Sequence, residues 1–160
     1  MRDRHYALIG FILGFSMTCL GLNPSWSQYA DTYNEFLLYL CLGSIAIAFI
    51  KRGQKYDEIT SVLFLLIGAF SVNSPIKIIE NLHLVFTALA IISAYIGLIN
   101  HSKNKIMKQS AYISFIVSIL LFSFGYFFNW YSVAAAELLV STPLIINFYD
   151  NKNNQNISKR

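Results

Sequence analysis

The chain has 160 residues, of which 56% are hydrophobic and 12% are charged, and its formal net charge is +4. Soluble domains carry about 25% charged residues, so this composition argues against a water-soluble domain and favours an integral membrane protein. The basic residues lie in short clusters between apolar stretches and form no separate basic domain. We therefore expect no nucleic-acid partner.

Six apolar stretches divide the chain, and each approaches the roughly 17–25 helical residues that a bilayer core requires. Residues 109–149 would form a single helix about 60 Å long, twice the bilayer thickness, so this region is predicted to be a helical hairpin. A membrane β-barrel would need alternating apolar and polar positions, which these runs lack. We therefore predict an all-α, polytopic membrane helix bundle of six transmembrane helices. The predicted spans are residues 6–23, 34–50, 59–75, 80–100, 109–128 and 130–149.

The basic residues predict the orientation of these spans. With the N-terminus in the cytoplasm, all 12 except Lys77 lie in cytoplasmic segments, as the positive-inside rule requires. An odd number of spans would place the basic C-terminal segment outside. Both termini are thus predicted to be cytoplasmic, with 151–160 a polar tail, in a multi-pass protein of the bacterial inner membrane or plasma membrane. The inside residues are Arg2, Arg4, Lys51, Arg52, Lys55, Lys103, Lys105, Lys108, Lys152, Lys159 and Arg160.

The first stretch, MRDRHYALIGFILGFSMTCLGL, could also be read as a signal peptide. It has no small-x-small cleavage site after it, so we expect an uncleaved first helix. Gly10 and Gly14 form a GxxxG pattern, which lets helices approach closely. Two alternatives remain: internal packing of the bundle, or a homo-oligomer formed through the Gly10/Gly14 face. Cys19 and Cys41 lack CxxC or metal-ligand spacing and are expected to be small apolar residues.

The fourth span, ENLHLVFTALAIISAYIGLIN, has small or polar residues at heptad spacing, while its other faces are mostly Leu, Val, Phe and Ile. In a membrane, such a face is expected to pack against other helices rather than against lipid. The predicted buried face consists of Glu80, His83, Thr87, Ala90, Ala94, Gly97 and His101.

Glu137 is the one acid in the interior of a predicted span. A charge deep in a bilayer costs roughly 2.5–3.5 kcal/mol or more, so Glu137 is expected to be neutral or paired. His83 is predicted at a similar depth on the outer side, with Glu80 at the rim. Four readings stay open for this outer-leaflet cluster: a structural pair, a pocket for a lipid headgroup or other small polar ligand, an acid-base site, and a metal site. The candidate ligand-binding residues are His83, Glu137, Glu80, Asn73 and Ser141, with Asp31 and Glu35 nearby.

Familiar catalytic and cofactor motifs are missing from the sequence. Zinc sites need three or four ligands, and the outer cluster offers one His. The sequence contains neither HExxH nor GxSxG, and neither a P-loop nor GxGxxG. We therefore predict no metal and no cofactor, and the residues leave open whether the protein is an enzyme.

The stretch GAFSVNSPIKIIENLHLVFTALAIISAYIGL resembles the core of the Frag/DRAM/Sfk superfamily and related prokaryotic six-helix membrane proteins of unknown function. In that pattern a His heads the helix after a short outer loop, which corresponds to His83, and AAAELLV carries the acid of the last span, Glu137. The resemblance covers about residues 59–149. It implies a function concerned with membrane lipid.

The sequence thus predicts a lipid-associated protein that binds a lipid or assists its processing. Two alternatives are a non-catalytic scaffold subunit of a larger membrane complex and a small oligomeric channel or transporter.

Overall fold

A computed structural model describes residues 2–20, 35–70, 75–128 and 132–157. These ranges form six α-helices and no strand, which confirms the all-α fold. Each predicted apolar stretch overlaps with one of these helices. The last helix continues into the predicted polar tail as far as Ile157. The helices are α1 (Asp3–Leu20), α2 (Glu35–Arg52), α3 (Asp57–Ala69), α4 (Lys77–His101), α5 (Lys105–Phe128) and α6 (Ser132–Ile157).

Among the described residues, α4 is the one helix long and apolar enough to cross a bilayer, and α6 contains a shorter apolar segment, Ala136–Tyr149. The helix α3 has 13 residues, fewer than the roughly 17–25 that a span requires. A single helix of this kind also occurs in the cores of soluble proteins. This criterion therefore does not support a multi-pass arrangement, and six spans stay a prediction.

The helices are arranged around the bundle in the order α4, α3, α2, α1, α6 and α5, because the main contacts are those between neighbours in this series. The contacts of α4 with α5 and α6 are much sparser. The bundle therefore has one weakly closed seam, between α4 on one side and α5 and α6 on the other.

The start of α1, the ends of α2 and α4, and the second half of α6 meet at one end of the bundle. The ammonium group of Lys51 lies 5.6 Å from the ring centroid of Tyr6, and the Tyr149 hydroxyl donates to the Arg4 carbonyl over 3.5 Å. The guanidinium of Arg52 approaches to 4.0 Å the position that a Cβ on Gly97 would occupy. The start of α1 and the ends of α2 and α4 thus lie together, beside Tyr149 of α6. We call this the basic end, after Arg4, Lys51 and Arg52.

Gly10 lets α1 approach α2 closely within the chain. A Cβ at this position would lie 2.6 Å from Cγ1 of Ile45 and 3.3 Å from the Cys41 carbonyl oxygen. The Cys41 thiol donates a hydrogen bond to the Gly10 carbonyl over 3.1 Å. The Gly10 face thus packs inside the bundle, whereas a homo-oligomer through Gly10/Gly14 stays a prediction. Both cysteines are free thiols.

Candidate functional site

A cavity of about 420 Å³ lies in the seam between α4 and the α5–α6 pair. Leu84, Ile92 and Ile119 line it and are 42%, 45% and 50% exposed, so the cavity opens on the outside of the bundle. We call it the lateral cavity. Its described lining consists of Leu84, Thr87, Ala88, Ile91, Ile92, Phe115, Ser118, Ile119, Ser123, Ala136, Glu137 and Val140.

Tyr95 closes the seam between the lateral cavity and the basic end. Its hydroxyl donates a hydrogen bond to the Val140 carbonyl over 2.9 Å, and its ring centroid lies 5.2 Å from that of Phe115. One turn further along α4, Leu98 is fully buried in the same apolar cluster as Met107. Between Tyr95 and the basic end, α4 thus packs against α5 and α6. The lateral cavity begins on the other side of Tyr95.

A second, smaller cavity of about 100 Å³ lies inside the bundle, with a lining contributed by α1, α2, α3, α4 and α6. We call it the inner cavity. Four residues line both cavities and form the wall between them: Thr87, Ile91, Glu137 and Val140. Among the described lining residues of the two cavities, Glu137 is the one ionisable group.

The sequence around Glu137 explains how α6 presents it to both cavities. Ala136 is only 3% exposed, so its small side chain allows close packing beside the acid. Pro143 lies inside α6 and cannot donate to the carbonyl of Leu139, which favours a bend in the helix there. The hydroxyls of Ser141 and Thr142 both donate to the Leu138 carbonyl, over 2.8 and 2.9 Å. The hydrogen bonding of the α6 main chain is thus altered next to Glu137, at the carbonyls of Leu138 and Leu139.

Two hydroxyl groups in the lateral cavity have donated their hydrogens to the main chain. Thr87 donates to the His83 carbonyl over 2.9 Å, and Ser118 donates to the Ala136 carbonyl over 3.2 Å. Each hydroxyl oxygen keeps its capacity to accept a hydrogen bond. Thr87 and Ser118 can therefore each accept a hydrogen bond in the cavity.

His83 lies elsewhere and does not pair with Glu137. Its side chain is 2% exposed, and Nδ1 lies 2.6 Å from the carbonyl oxygen of Phe70. The ring nitrogen donates, because a carbonyl oxygen can only accept. Phe70 follows α3 in an extended conformation. Within the described residues, no hydrogen bond or ion pair joins His83 to Glu137, and His83 connects the end of α3 to α4.

The other predicted site residues fall into three places. Ser141 is buried and lines the inner cavity with Glu137. Glu80 is half-buried in the first turn of α4 and lines neither cavity. Asn73 and Asp31 lie outside the described residues, and Glu35 is exposed at the start of α2. Of the predicted set, the structure therefore brings together Glu137 and Ser141.

A buried ion pair at the basic end has no counterpart in the predicted site. Arg52 donates through Nε and Nη2 to the two carboxylate oxygens of Asp57, over 2.8 and 2.5 Å, and the two side chains are 6% and 1% exposed. The guanidinium lies 4.8 Å from the ring centroid of Phe49 and 4.4 Å from that of Phe148. Gly53, with φ of 66°, ends α2 and turns the chain toward Asp57. The pair therefore fixes the α2–α3 turn against α6.

The pair was not predicted, because Arg52 belongs to the basic clusters that indicate membrane orientation. Its one local signal is the Lys-Arg-Gly ending of a helix, followed by an acid at the start of the next. The described residues include no group of three or more His, Cys, Asp or Glu side chains that could hold a metal ion.

Comparison of the chain with protein-family models, with curated proteins and with solved structures found no match, so the resemblance noted from the sequence stays a prediction.

Proposed function

We propose that the chain is a six-span membrane protein that binds a lipid, or another amphipathic molecule with a long apolar chain, in the lateral cavity. Large apolar side chains are exposed on all six helices, which is costly in water and favourable in a bilayer. Representative residues, one or two from each helix, are Ile12, Phe15, Leu40, Ile50, Val62, Leu65, Val85, Leu89, Ile116, Leu120 and Ile146.

The basic end supports the same proposal. The start of α1, the ends of α2 and α4, and the second half of α6 meet there, so successive helices can alternate in direction across a bilayer. Six of the 12 Lys and Arg residues lie at or next to these helix ends in the sequence: Arg2, Arg4, Lys51, Arg52, Lys55 and Lys103. Such an asymmetric distribution is expected of a protein whose basic end faces the cytoplasm.

The observation that carries the proposed function is the lateral cavity itself. Its volume of about 420 Å³ falls within the roughly 300–1,000 Å³ of small-molecule sites, which combine mostly apolar linings with a few polar groups. The opening lies on the side of the bundle, among exposed apolar residues, so a ligand would enter from the bilayer. Glu137 would contact its polar end, and the aliphatic residues of α4 and α5 its chain.

The depth of the cavity favours a ligand held among the acyl chains. At about 1.5 Å per residue, its α4 lining extends from roughly 10 to 22 Å below Lys77, where α4 begins. A bilayer core is about 30 Å thick. The proposed site thus lies deeper than a headgroup pocket at the surface, and His83 and Glu80 are not part of it.

A photo-crosslinking experiment with a long-chain alcohol that carries a diazirine in its chain tests this function. The full-length protein in phosphatidylcholine vesicles would be irradiated with the probe, and the labelled peptides would be identified by mass spectrometry. We expect labels on the α4, α5 and α6 peptides that line the lateral cavity. Replacing the lining residue Ala88→Phe should remove most of this labelling, because the added ring fills the cavity.

The matched control is Leu89→Phe, which adds a ring at an exposed position outside the lining. It should leave the labelling unchanged. Uniform labelling of all lipid-facing residues, labelling that survives Ala88→Phe, or no labelling of the lining peptides would each contradict the proposed function.

A further inference from the structure

We infer that the basic end binds the phosphate group of an anionic phospholipid, between Arg4 and Lys51 beside the first turn of α1. This inference rests on the part of the proposed function that places the chain in a bilayer. It concerns a second site, because neither residue lines the lateral cavity. It follows from the pairing of the charges at this end, from the surroundings of Arg4 and from the exposed apolar residues next to both cations.

The cations of the basic end differ in whether an acid neutralises them. Arg52 is paired with the carboxylate of Asp57. Among the described residues, the Arg4 guanidinium makes no hydrogen bond or ion pair, and Asp3 in the same helical turn is not its partner. Lys51 is exposed and forms no ion pair with a described acid. Arg4 and Lys51 thus present two positive charges that the described residues leave without a counter-ion.

The surroundings of Arg4 make a counter-ion favourable. Its side chain is half-buried, and its Nε is shielded from solvent without a hydrogen-bond partner among the described residues. Ala7, one turn further along α1, is 2% exposed and belongs to the apolar core. A charged donor in such a place loses hydration without gaining an acceptor, which is unfavourable. An anion beside the guanidinium would offset this cost, and phosphate oxygens match the planar fork of an Arg side chain.

Contacts of α1 with α2 and α6 bring the two cations together. The Lys51 ammonium lies 5.6 Å from the ring centroid of Tyr6, two residues after Arg4. The Tyr149 hydroxyl donates to the Arg4 carbonyl over 3.5 Å. Both cations therefore lie beside the first turn of α1, where the positive end of the helix dipole also favours an anion. Tyrosines such as these two are typical of the membrane–water interface.

The apolar residues next to the cations favour a lipid as the source of the phosphate. Leu8 lies four residues after Arg4, and Ile47 lies four residues before Lys51, so each shares a helix face with its cation. Leu8 and Ile47 are 39% and 40% exposed. A phospholipid would contact the cations with its phosphate and these apolar residues with its chains, whereas a free phosphate ion would use the cations alone. Basic residues at the cytoplasmic surface of a membrane also attract anionic lipids.

Photo-crosslinking with a phosphatidylglycerol that carries a diazirine in its headgroup tests the inference. The full-length protein in mild-detergent micelles would be irradiated with this probe, and the labelled peptides would be identified by mass spectrometry. We expect labels at the start of α1 and the end of α2. Unlabelled phosphatidylglycerol should compete at concentrations at least roughly fivefold lower than phosphatidylcholine with the same chains, because each basic residue near the surface contributes about this factor toward an anionic lipid.

The Arg4→Gln variant tests whether this residue holds the phosphate. It should reduce the labelling roughly fivefold, and thermal unfolding would show that the variant is folded. Arg4→Lys keeps the charge and loses the planar fork, so it should retain part of the labelling. The matched control is Lys105→Gln, which removes the same charge from an exposed residue at the start of α5 and should leave the labelling unchanged.

Three results would overturn the inferred site: labelling unchanged in Arg4→Gln, labelling reduced equally in Lys105→Gln, or equal competition by the two unlabelled lipids. Inorganic phosphate that competes at the same concentration as unlabelled phosphatidylglycerol would overturn the lipid as the source of the phosphate. The proposed function can fail separately, because Ala88→Phe should leave the phosphatidylglycerol labelling unchanged. Arg4-dependent labelling at the basic end, without labelling of the lateral cavity by the long-chain alcohol, would support this inference and contradict the proposed function.

Discussion

The hydroxyl of Tyr95 on α4 donates to the carbonyl of Val140 on α6 over 2.9 Å, directly beside the lateral cavity that Val140 lines. It is a side-chain hydrogen bond across the weakly packed seam, and it joins the two helices that carry the candidate site. The width of the cavity therefore depends on this bond and on the contact of Tyr95 with Phe115.

Replacing Tyr95→Phe should weaken this closure while keeping the ring. Loss of one hydrogen bond typically costs about 0.5–1.5 kcal/mol. We expect a lower Tm for the protein in nanodiscs and increased photo-labelling of Val140 by the diazirine alcohol. Tyr112→Phe is the matched control, because Tyr112 is 52% exposed. Equal thermal stability and equal labelling in the two variants would show that the Tyr95 hydroxyl does not hold the seam.

The buried pair of Arg52 and Asp57 should be critical for folding. In Asp57→Asn the guanidinium would stay buried without its counter-charge, and breaking such a pair typically costs about 3–5 kcal/mol. Chemical unfolding in mixed micelles would measure the loss, with Glu58→Gln as the exposed neighbouring control. Because apolar replacement of both partners is often tolerated, Arg52→Met with Asp57→Leu should recover much of the stability. A double variant no more stable than Asp57→Asn would argue against a purely structural pair.

Replacing His83→Ala should lower stability and leave ligand binding intact. The substitution removes the donor to the Phe70 carbonyl, and a buried acceptor without a partner costs about 1–3 kcal/mol. Thermal unfolding would measure the first effect, and labelling of the folded protein by the diazirine alcohol the second. Loss of labelling in folded His83→Ala would instead indicate that His83 belongs to the ligand site, as predicted from the sequence.

The close approach of α1 to α2 predicts different effects at two glycines. A Cβ at Gly10 would lie 2.6 Å from Cγ1 of Ile45, whereas at Gly43 nothing lies within 4 Å. Gly10→Ala should therefore destabilise the protein, by about 1–3 kcal/mol if neighbouring groups must shift, while Gly43→Ala should be neutral or stabilising. Thermal unfolding compares them. A variant Gly10→Ala that unfolds like Gly43→Ala, but has lost an oligomer on size-exclusion chromatography, would place this face between chains.

The apolar stretches of the sequence were sufficient to locate six helices, because continuous apolar runs bounded by charges are a strong signal. The predicted packing face of α4 is also confirmed: its small residues Ala90, Ala94 and Gly97 are buried. Residues at heptad spacing share a face whatever the helix packs against, so this prediction needed no knowledge of the partner helices.

The hydrogen-bond partner of His83, in contrast, could not be predicted from the sequence. His83 binds a main-chain carbonyl, and every residue offers one, so no sequence pattern marks that partner. The cavity beside Glu137 depends on how far α4 separates from α5 and α6, which is a property of the whole bundle. The sequence therefore singled out Glu137, which lines both cavities, but it carries no sign of the main-chain carbonyl that His83 binds.

Native mass spectrometry of the full-length protein, released from mild detergent, tests the central claim most directly. We expect the wild-type protein to carry a defined adduct with the mass of a lipid or of another amphipathic molecule. The adduct should weaken in Glu137→Gln and in Ala88→Phe, and it should persist in Leu89→Phe and in folded His83→Ala. A wild-type protein without any adduct, or an adduct equally abundant in all four variants, would contradict a ligand site in the lateral cavity.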